Sequence, residues 1–457
     1  MNTLKRIFPV LWLLVFLPIL SQGQVQNQKI YNLSLEEAVD LGLENNYASR
    51  SATLDIEKAL QQRWEIIAQG LPQLSASGSY QNNLKQTLTP LPAEFMGGEP
   101  GTFVAVPFSP QHSVSATATW NQIIFDGSYI VGVQSARTLL QISENAKIKT
   151  DQQVREAVIN AYGNVLLAQE NVEIMTRNVE NVQKNFDDTR IIYENGLAEE
   201  EDVEQLEITL LGLKNNLNRS RRMLDIAYEM LNLSLGIPVE TAVVLTEEID
   251  DLTEDAFDLA LLHQDISVEE NIDYRIAANT AESAEIYVKL EKSKALPTLN
   301  GFVNYGVNGF GQEFDFFDSE QPYYQQSVLG LNLNIPIFSS GMRGARTQQK
   351  KIELEQALLE LEQTENDIKL QIKSARTDYE FSIENYQTQK KNLELAQRIE
   401  NKNQVKFFEG LASSFELSEA QRQLYTAQQE YLQSMLDVIN TKVALENLLD
   451  TTTYEEK

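Results

Sequence analysis

The side chains best able to do chemistry in this chain are carboxylates, and the informative ones follow two glycine turns. After Gly410 come Glu416 and Glu419, three residues apart and therefore on one helical face. After Gly196 the corresponding places hold Asp202 and Gln205, within the acidic run Glu199-Glu200-Glu201-Asp202. Acids in the first turn of a helix are favoured by the macrodipole by about 0.3–1 kcal/mol, which suffices to explain them as helix starters. Catalytic chemistry finds little to work with. The only two histidines, His112 and His263, have no cysteine to complete a site, because the chain contains none. No phosphate loop, nucleophile elbow or dinucleotide fingerprint is present, so neither an enzyme nor a cofactor is expected. Glu313, Asp315 and Asp318 share one loop, but their spacing matches no calcium loop, and no metal is expected there.

The two turns belong to a larger duplication. Gly70-Leu71-Pro72-Gln73-Leu74 returns as Ala295-Leu296-Pro297-Thr298-Leu299, and Ile124-Phe125 returns as Ile337-Phe338. Tyr193-Glu194-Asn195-Gly196-Leu197 returns as Phe407-Phe408-Glu409-Gly410-Leu411. Each copy reads helix, two alternating strands, very long helix, tight turn, helix. Such a repeat predicts one interleaved wall, not two independent globules. The boundaries expected are a first repeat at 24–236, with strands 71–89 and 113–125 and helices 128–195 and 199–235. A linker or equatorial segment at 237–265 joins it to a second repeat at 266–450, with strands 297–310 and 327–338 and helices 341–409 and 413–449; a tail follows at 451–457.

The strands alternate with period two. Leu74, Ala76, Gly78, Tyr80, Leu84 and Leu88 oppose Ser75, Ser77, Ser79, Gln81, Asn83, Lys85 and Thr87. Val114, Ala116, Ala118, Trp120 and Ile124 oppose serines, threonines and Asn121; Leu299, Val303, Tyr305 and Val307 oppose Asn300, Asn304 and Asn308; Leu329 to Ile337 alternates likewise with Gly330, Asn332 and Asn334. One face therefore meets an apolar medium and the other meets water. A soluble sheet covered by helices would satisfy this, as would a transmembrane barrel with a wet lumen. The nearly uncharged polar face, and the aromatics Trp120, Phe125, Tyr305 and Phe338 towards strand ends, favour the barrel. Irregular loops are expected between the strands of each pair, at 89–111 and 309–326. Four strands cannot close a membrane barrel, and open edges cannot sit in lipid, so the chain must oligomerise.

The helices are too long for a globule. Residues 341–409 lack proline, and no glycine falls between Gly344 and Gly410; at 1.5 Å per residue this helix runs about 100 Å. Leu354, Leu358, Leu361, Ile368, Ile372, Ala375, Tyr379, Tyr386 and Leu393 fall on heptad sites, interrupted by polar residues such as Glu365 and Ser382; this is a coiled-coil signal. A second stripe through Leu359, Leu370 and Phe381 predicts a further neighbour. Single helices are expected at 34–69 and 268–295, so that two shorter helices end to end match each long one.

At the N-terminus, Lys5-Arg6, the apolar run Ile7 to Leu20 and the small residues at Ser21-Gln22-Gly23 read as a signal peptide, 1–23. Its removal leaves 35 basic against 66 acidic residues, a net charge of −31. Such a chain is repelled by nucleic acid, so no nucleic-acid partner is expected.

Taken together, these features resemble the TolC-like outer-membrane efflux family over essentially the whole mature chain. The resemblance is carried by Leu71-Pro72-x-Leu74 with Leu296-Pro297-x-Leu299, and by Ile124-Phe125-Asp126-Gly127 with Ile335-Pro336-Ile337-Phe338-x-x-Gly341. The turns at Gly196-Leu197 and Gly410-Leu411 and the closing Leu231-x-Leu233-x-Leu235-Gly236 complete it. It implies a mainly α protein with membrane β: four transmembrane strands per chain in a homotrimeric 12-stranded barrel, continued by a coiled-coil helical tunnel across the periplasm. It further implies an outer-membrane location in contact with lipid, a periplasmic adaptor (membrane fusion) protein and an inner-membrane transporter as partners, and passive export in a tripartite efflux or type I secretion system. In that family, acids at the places of Glu416 and Glu419 line the tunnel mouth, where this chain has glutamates and not the usual aspartates. Glu416, Glu419 and Asp202 are thus expected at a pore constriction, and Gly196, Leu197, Gly410 and Leu411 at the adaptor contact. The competing expectation is a periplasmic coiled-coil adaptor or scaffold with a soluble β domain.

Overall fold

The computed structural model describes residues 30–264 and 267–449; the expected signal peptide at 1–23, the tail at 451–457 and the repeat boundary at 266 lie outside the described residues. β1 (Tyr31–Leu33) leads into α1 (Leu35–Asn45) and α2 (Tyr47–Gln69). β2 (Gln73–Asn82), β3 (Leu88–Pro92), β4 (Phe103–Pro107) and β5 (His112–Asp126) follow, then the long α3 (Gly127–Glu194) and the returning α4 (Glu200–Leu235). β6 (Val243–Leu245) and α5 (Ile249–Asp255) precede the second copy: α6 (Ile272–Ser293), β7 (Thr298–Gly311), β8 (Tyr323–Asn334), α7 (Met342–Phe408) and α8 (Ser414–Leu449).

The principal sheet has four antiparallel strands in the order β2-β5-β7-β8. Its register sorts the side chains by chemistry. Leu74, Trp120, Val303 and Leu329 form one cross-strand row and Tyr80, Val114 and Gly309 another, all on one face. Ser75, Thr119, Asn304 and Ser77, Thr117, Gly306, Gln326 form rows on the opposite face. Among the described residues no helix covers the apolar face: Leu74 is 77% exposed and Leu329 is 78% exposed. A bulge between Ile123 and Phe125 inserts one residue into β5. It brings both Ile124, which lies against Gly301, and Phe125, opposite Leu299, to the apolar side, where strict alternation would have placed only one of them.

Several expected boundaries are corrected. The first strand stops at Asn82, short of the expected 89, because Asn83 is held by its own hydrogen bonds to Gln111 and Pro110 at the sheet's end. The loop at 89–111 is not irregular, since β3 and β4 pair antiparallel within it; its prolines are tolerated because this is a two-stranded edge ribbon. The last strand runs 323–334, four residues earlier than expected. Pro336 lacks a donor for the ladder, and the chain turns through Ser340 (φ 49°) and Gly341 (φ 84°) into α7. The helix expected at 34–69 breaks at Asn46, whose side chain accepts the Ala48 N–H (2.8 Å) and donates to the Ser234 carbonyl (2.8 Å). The helix expected at 268–295 begins only at Ile272, capped by Asn271. The 237–265 segment carries β6, which pairs in parallel with β1 and ties the start of the described chain to the middle of the fold.

α3 packs along α4 and α2, and α7 along α8 and α6, so each long helix is matched by two shorter ones. Asp126 starts α3 by accepting the Ser128 (2.7 Å) and Tyr129 (3.3 Å) N–H groups. The main core lies where these helices meet the β1/β6 segment, around Val158, Tyr162, Leu231, Leu235, Met435 and Val438. Two tyrosines fasten that segment to the long helices. Tyr162 bonds the Leu33 carbonyl (3.1 Å) and Glu247 (3.0 Å), and the Tyr379 hydroxyl accepts the Asp258 N–H (2.9 Å). Of the heptad stripe on α7, Ile368, Ile372, Tyr379 and Tyr386 are buried, while Leu358 is exposed. Leu359, Leu370 and Phe381 are each more than 60% exposed among the described residues.

Candidate functional site at the helical tips

The two hairpin turns are built alike. α3 is capped by Asn195 and α7 by Glu409, followed by Gly196 (φ 77°) and Gly410 (φ 71°). The next N–H reaches back over the turn in each case, Leu197 to the Ile192 carbonyl (3.0 Å) and Leu411 to the Lys406 carbonyl (2.8 Å). This is the left-handed C-terminal cap that glycine adopts without penalty. A Cβ at either glycine would meet nothing within 4 Å, so the backbone angle alone demands the residue. Ile191 and Ile192 together with Val405 and Phe408 line one groove of about 530 Å³, so the two tips stand side by side. They end in apolar side chains: Leu197 is 80% exposed, Leu411 73% and Phe415 70%.

Two of the three expected constriction acids, Glu416 and Glu419, have a local side-chain partner. Glu416 closes a reciprocal capping box: its Oε2 accepts the Ser413 N–H (2.9 Å) while Ser413 Oγ accepts the Glu416 N–H (3.3 Å). Glu419, also exposed, is gripped by Arg422, whose Nε donates to Oε2 (3.0 Å) and whose Nη2 donates to Oε1 (2.5 Å). The guanidinium holds the Glu419 carboxyl below the usual carboxylate range. Asp202 lies half-buried in the first turn of α4, its N–H bonded to the Glu199 carbonyl (3.2 Å). Glu416 and Glu419 therefore share a face of α8, and the full negative charge at Glu419's level is offset by Arg422.

Behind the tips lies a polar layer not anticipated from the sequence. On α3, Asn178 donates to Gln428 of α8 (2.8 Å), and Asn185 accepts from Gln404 of α7 (2.9 Å). Thr189 and Gln421 are each 1% exposed, yet Thr189 Oγ1 and Gln421 Oε1 have no hydrogen-bond partner among the described residues, nor has Asn185 Nδ2. Burial raises the Glu400 carboxyl, a hydrogen bond from Gln421 opposing it in part. Burial, and then the nearby Glu400, push the Tyr425 phenol up. A signal was available: Asn164, Asn171, Asn178 and Asn185 recur every seventh residue along α3, the spacing of a coiled-coil seam.

Comparison with known proteins places these features in context. A family model described as outer membrane efflux protein matches residues 38–237 and 266–451. The outer membrane protein TolC of Vibrio cholerae is 22% identical over 346 residues, covering 75% of this chain and 78% of that protein. The probable efflux pump outer membrane protein TtgC of Pseudomonas putida is 23% identical over 436 residues, covering 94% of this chain and 85% of that protein. Among solved structures, CusC, described in connection with transmembrane channel formation, superposes with a TM-score of 0.70 at 19% identity, covering 93% of this chain and 92% of that one.

Proposed function

The chain belongs to the outer membrane efflux protein family, and from that premise we propose that three copies assemble into one export duct whose tips meet a periplasmic adaptor protein. It is an outer-membrane protein whose work is passive transport through a channel that extends into the periplasm, in an efflux or secretion system. The observation that carries a closed ring of copies is the sheet, two-faced, uncovered on its apolar side among the described residues, and ending in β2 and β8; the number three follows from the family. Unpaired backbone groups have no partners in lipid. Pairing β8 of one copy with β2 of the next removes every edge, and with four strands per chain three copies give twelve. The polar rows of serine, threonine and asparagine then face a wet lumen.

The tips support a docking role. Leu197, Leu411 and Phe415 are exposed on a chain of net charge −29, and apolar caps of this kind fit the end of a partner's helical hairpin. Gly196 and Gly410 set the turns that present them. In this reading an inner-membrane transporter drives export, and Glu416, Glu419 and Asp202 surround the mouth. A periplasmic adaptor with a soluble β domain, the alternative from the sequence, is set aside by the family and by the lipid-like exposure of the sheet.

The test is mass in detergent together with extraction behaviour. The protein is expected to resist carbonate extraction and to run as a detergent-stable trimer. Release by carbonate without detergent overturns the membrane barrel, and a monomeric mass overturns the assembly.

A further inference from the structure

The groove between α3, α4 and α8 has a chemistry at odds with the rest of the chain. Its volume is about 570 Å³, within the range of small-molecule sites. α4 lines it with Leu213, Asn216, Arg219, Ser220 and Met223, α8 with Arg422, Tyr425, Thr426 and Gln429, and α3 with Asn171 and Met175. The contributions from α4 and α8 each follow the three- and four-residue spacing of one helical face. Two arginines and no acid line a groove in a chain with 66 acidic and 37 basic residues. Leu213 and Met175 are buried at its floor, and Met223 is half exposed at its wall. The side chain of Asn171 spans the three helices: its Nδ2 donates to Ser220 Oγ (3.1 Å) and its Oδ1 accepts from Gln429 (2.8 Å). That bridge engages Asn171 and Gln429 with each other, and leaves the arginines as the groove's charged donors.

The arginines differ. Arg422 is already committed to Glu419. Arg219 makes no ion pair among the described residues, and neither do Arg221 and Arg222 beside it. A guanidinium left free beside a thioether and aromatic surface matches an anion carried on an apolar body. The guanidinium supplies paired donors to a carboxylate or sulfonate, and methionine and tyrosine accept the ring or chain. We propose that this groove is a binding site for an amphipathic organic anion, with Arg219 as the charge anchor and Met175, Leu213, Met223 and Tyr425 as the apolar bed. The groove shares Arg422 with the Glu419 pair near the tips, but it does not include Leu197, Leu411 or Phe415, so it stands whether or not the docking role proposed for them holds.

The test uses the full-length protein in phosphatidylcholine nanodiscs, titrated calorimetrically with naphthalene-1-sulfonate and, as the neutral counterpart, naphthalene-1-sulfonamide, with empty discs subtracted. Saturable binding of the sulfonate is expected, with the sulfonamide at least roughly tenfold weaker, the scale of one charge-assisted hydrogen bond. Arg219→Gln should weaken the sulfonate by roughly tenfold and leave the sulfonamide unchanged. Met223→Trp, which fills the groove, should abolish both. Arg221→Gln, which removes a neighbouring charge outside the groove, should change neither by more than about twofold. Mass in detergent and circular dichroism confirm that each variant retains the assembly and helix content of the parent. The proposal is overturned by non-saturable uptake, by equal binding of the two probes, or by equal losses in Arg219→Gln and Arg221→Gln, which would mean diffuse charge attraction only.

Discussion

At the scale of single residues, the acids near the tips divide by what holds them. Glu416 is part of its helix's start, so removing its side chain disturbs the fold as well as the charge; replacing a capping residue costs about 0.5–2 kcal/mol. Glutamine can serve the same box, which makes Glu416→Gln/Glu419→Gln the informative pair. If the mouth reading holds, that double variant should reduce cation selectivity and block by multivalent cations in single-channel recordings, with the trimer unchanged. Arg422→Gln should do the reverse, because it releases Glu419 from its counter-charge; no movement in either variant would leave these acids as helix starters. Glu400 makes a pH prediction. Its folded pKa lies above its unfolded value, so over that window the native state holds more protons and stability falls as pH rises. Glu400→Gln should therefore raise the thermal midpoint at neutral pH, and the gain should vanish once pH falls below the ordinary glutamate range, about 4.3. An equal gain at both pH values would remove the titration from the explanation.

At the scale of elements, the helical seams are not equivalent. Towards the tips each hairpin holds a small apolar cluster, Val182 with Leu210 and Leu213, or Ala396 with Leu424 and Ala427. Between the hairpins, nearer the tips than the apolar core around Tyr162 and Met435, α3 meets α7 and α8 through asparagine and glutamine, with several buried polar atoms unpartnered among the described residues. Leaving a buried hydroxyl unbonded costs on the order of 1–3 kcal/mol. Thr189→Val, which keeps the shape and removes an unpartnered hydroxyl, should stabilise the helical body by about 1 kcal/mol. Thr441→Val is the opposite case, because its hydroxyl bonds both Ser382 (2.8 Å) and the Asp437 carbonyl (2.8 Å); it should destabilise by about 1 kcal/mol. Urea midpoints followed by circular dichroism check both, and the same sign for the two would contradict a difference between bonded and unbonded hydroxyls.

At the scale of the whole molecule, one chain is an incomplete object. Its sheet has two free edges, and α7 carries Leu359, Leu370 and Phe381 uncovered. Because the chain has no cysteine, the closure can be read directly. Ser77→Cys on β2, paired in turn with a cysteine at Gln326, Val328, Gly330 or Asn332 on β8, should give one position that crosslinks between chains. Denaturing gels should then show a ladder ending at three chains. Crosslinks confined to a single chain, or a ladder that continues beyond three, would reject the proposed ring.

The sequence by itself determined whatever repeats at short range. Period-two alternation exposed the two faces of the sheet, a heptad stripe in a run free of proline gave the long helix, and Gly196 and Gly410 marked turns that require positive φ. These are properties of a residue and its near neighbours, so no partner need be known. The Ser413-x-x-Glu416 box lay within that same range, as did the asparagines spaced by seven on α3, but only a structure shows which helix those asparagines meet. Tertiary structure alone decided the pairing of β1 with β6, the β3–β4 hairpin inside a proline-rich loop, the bulge that turns Ile124 and Phe125 to one side, and the acid-free groove. Each depends on which distant segments come together, and that is set by burial summed over the fold; residue spacing along the chain does not encode it.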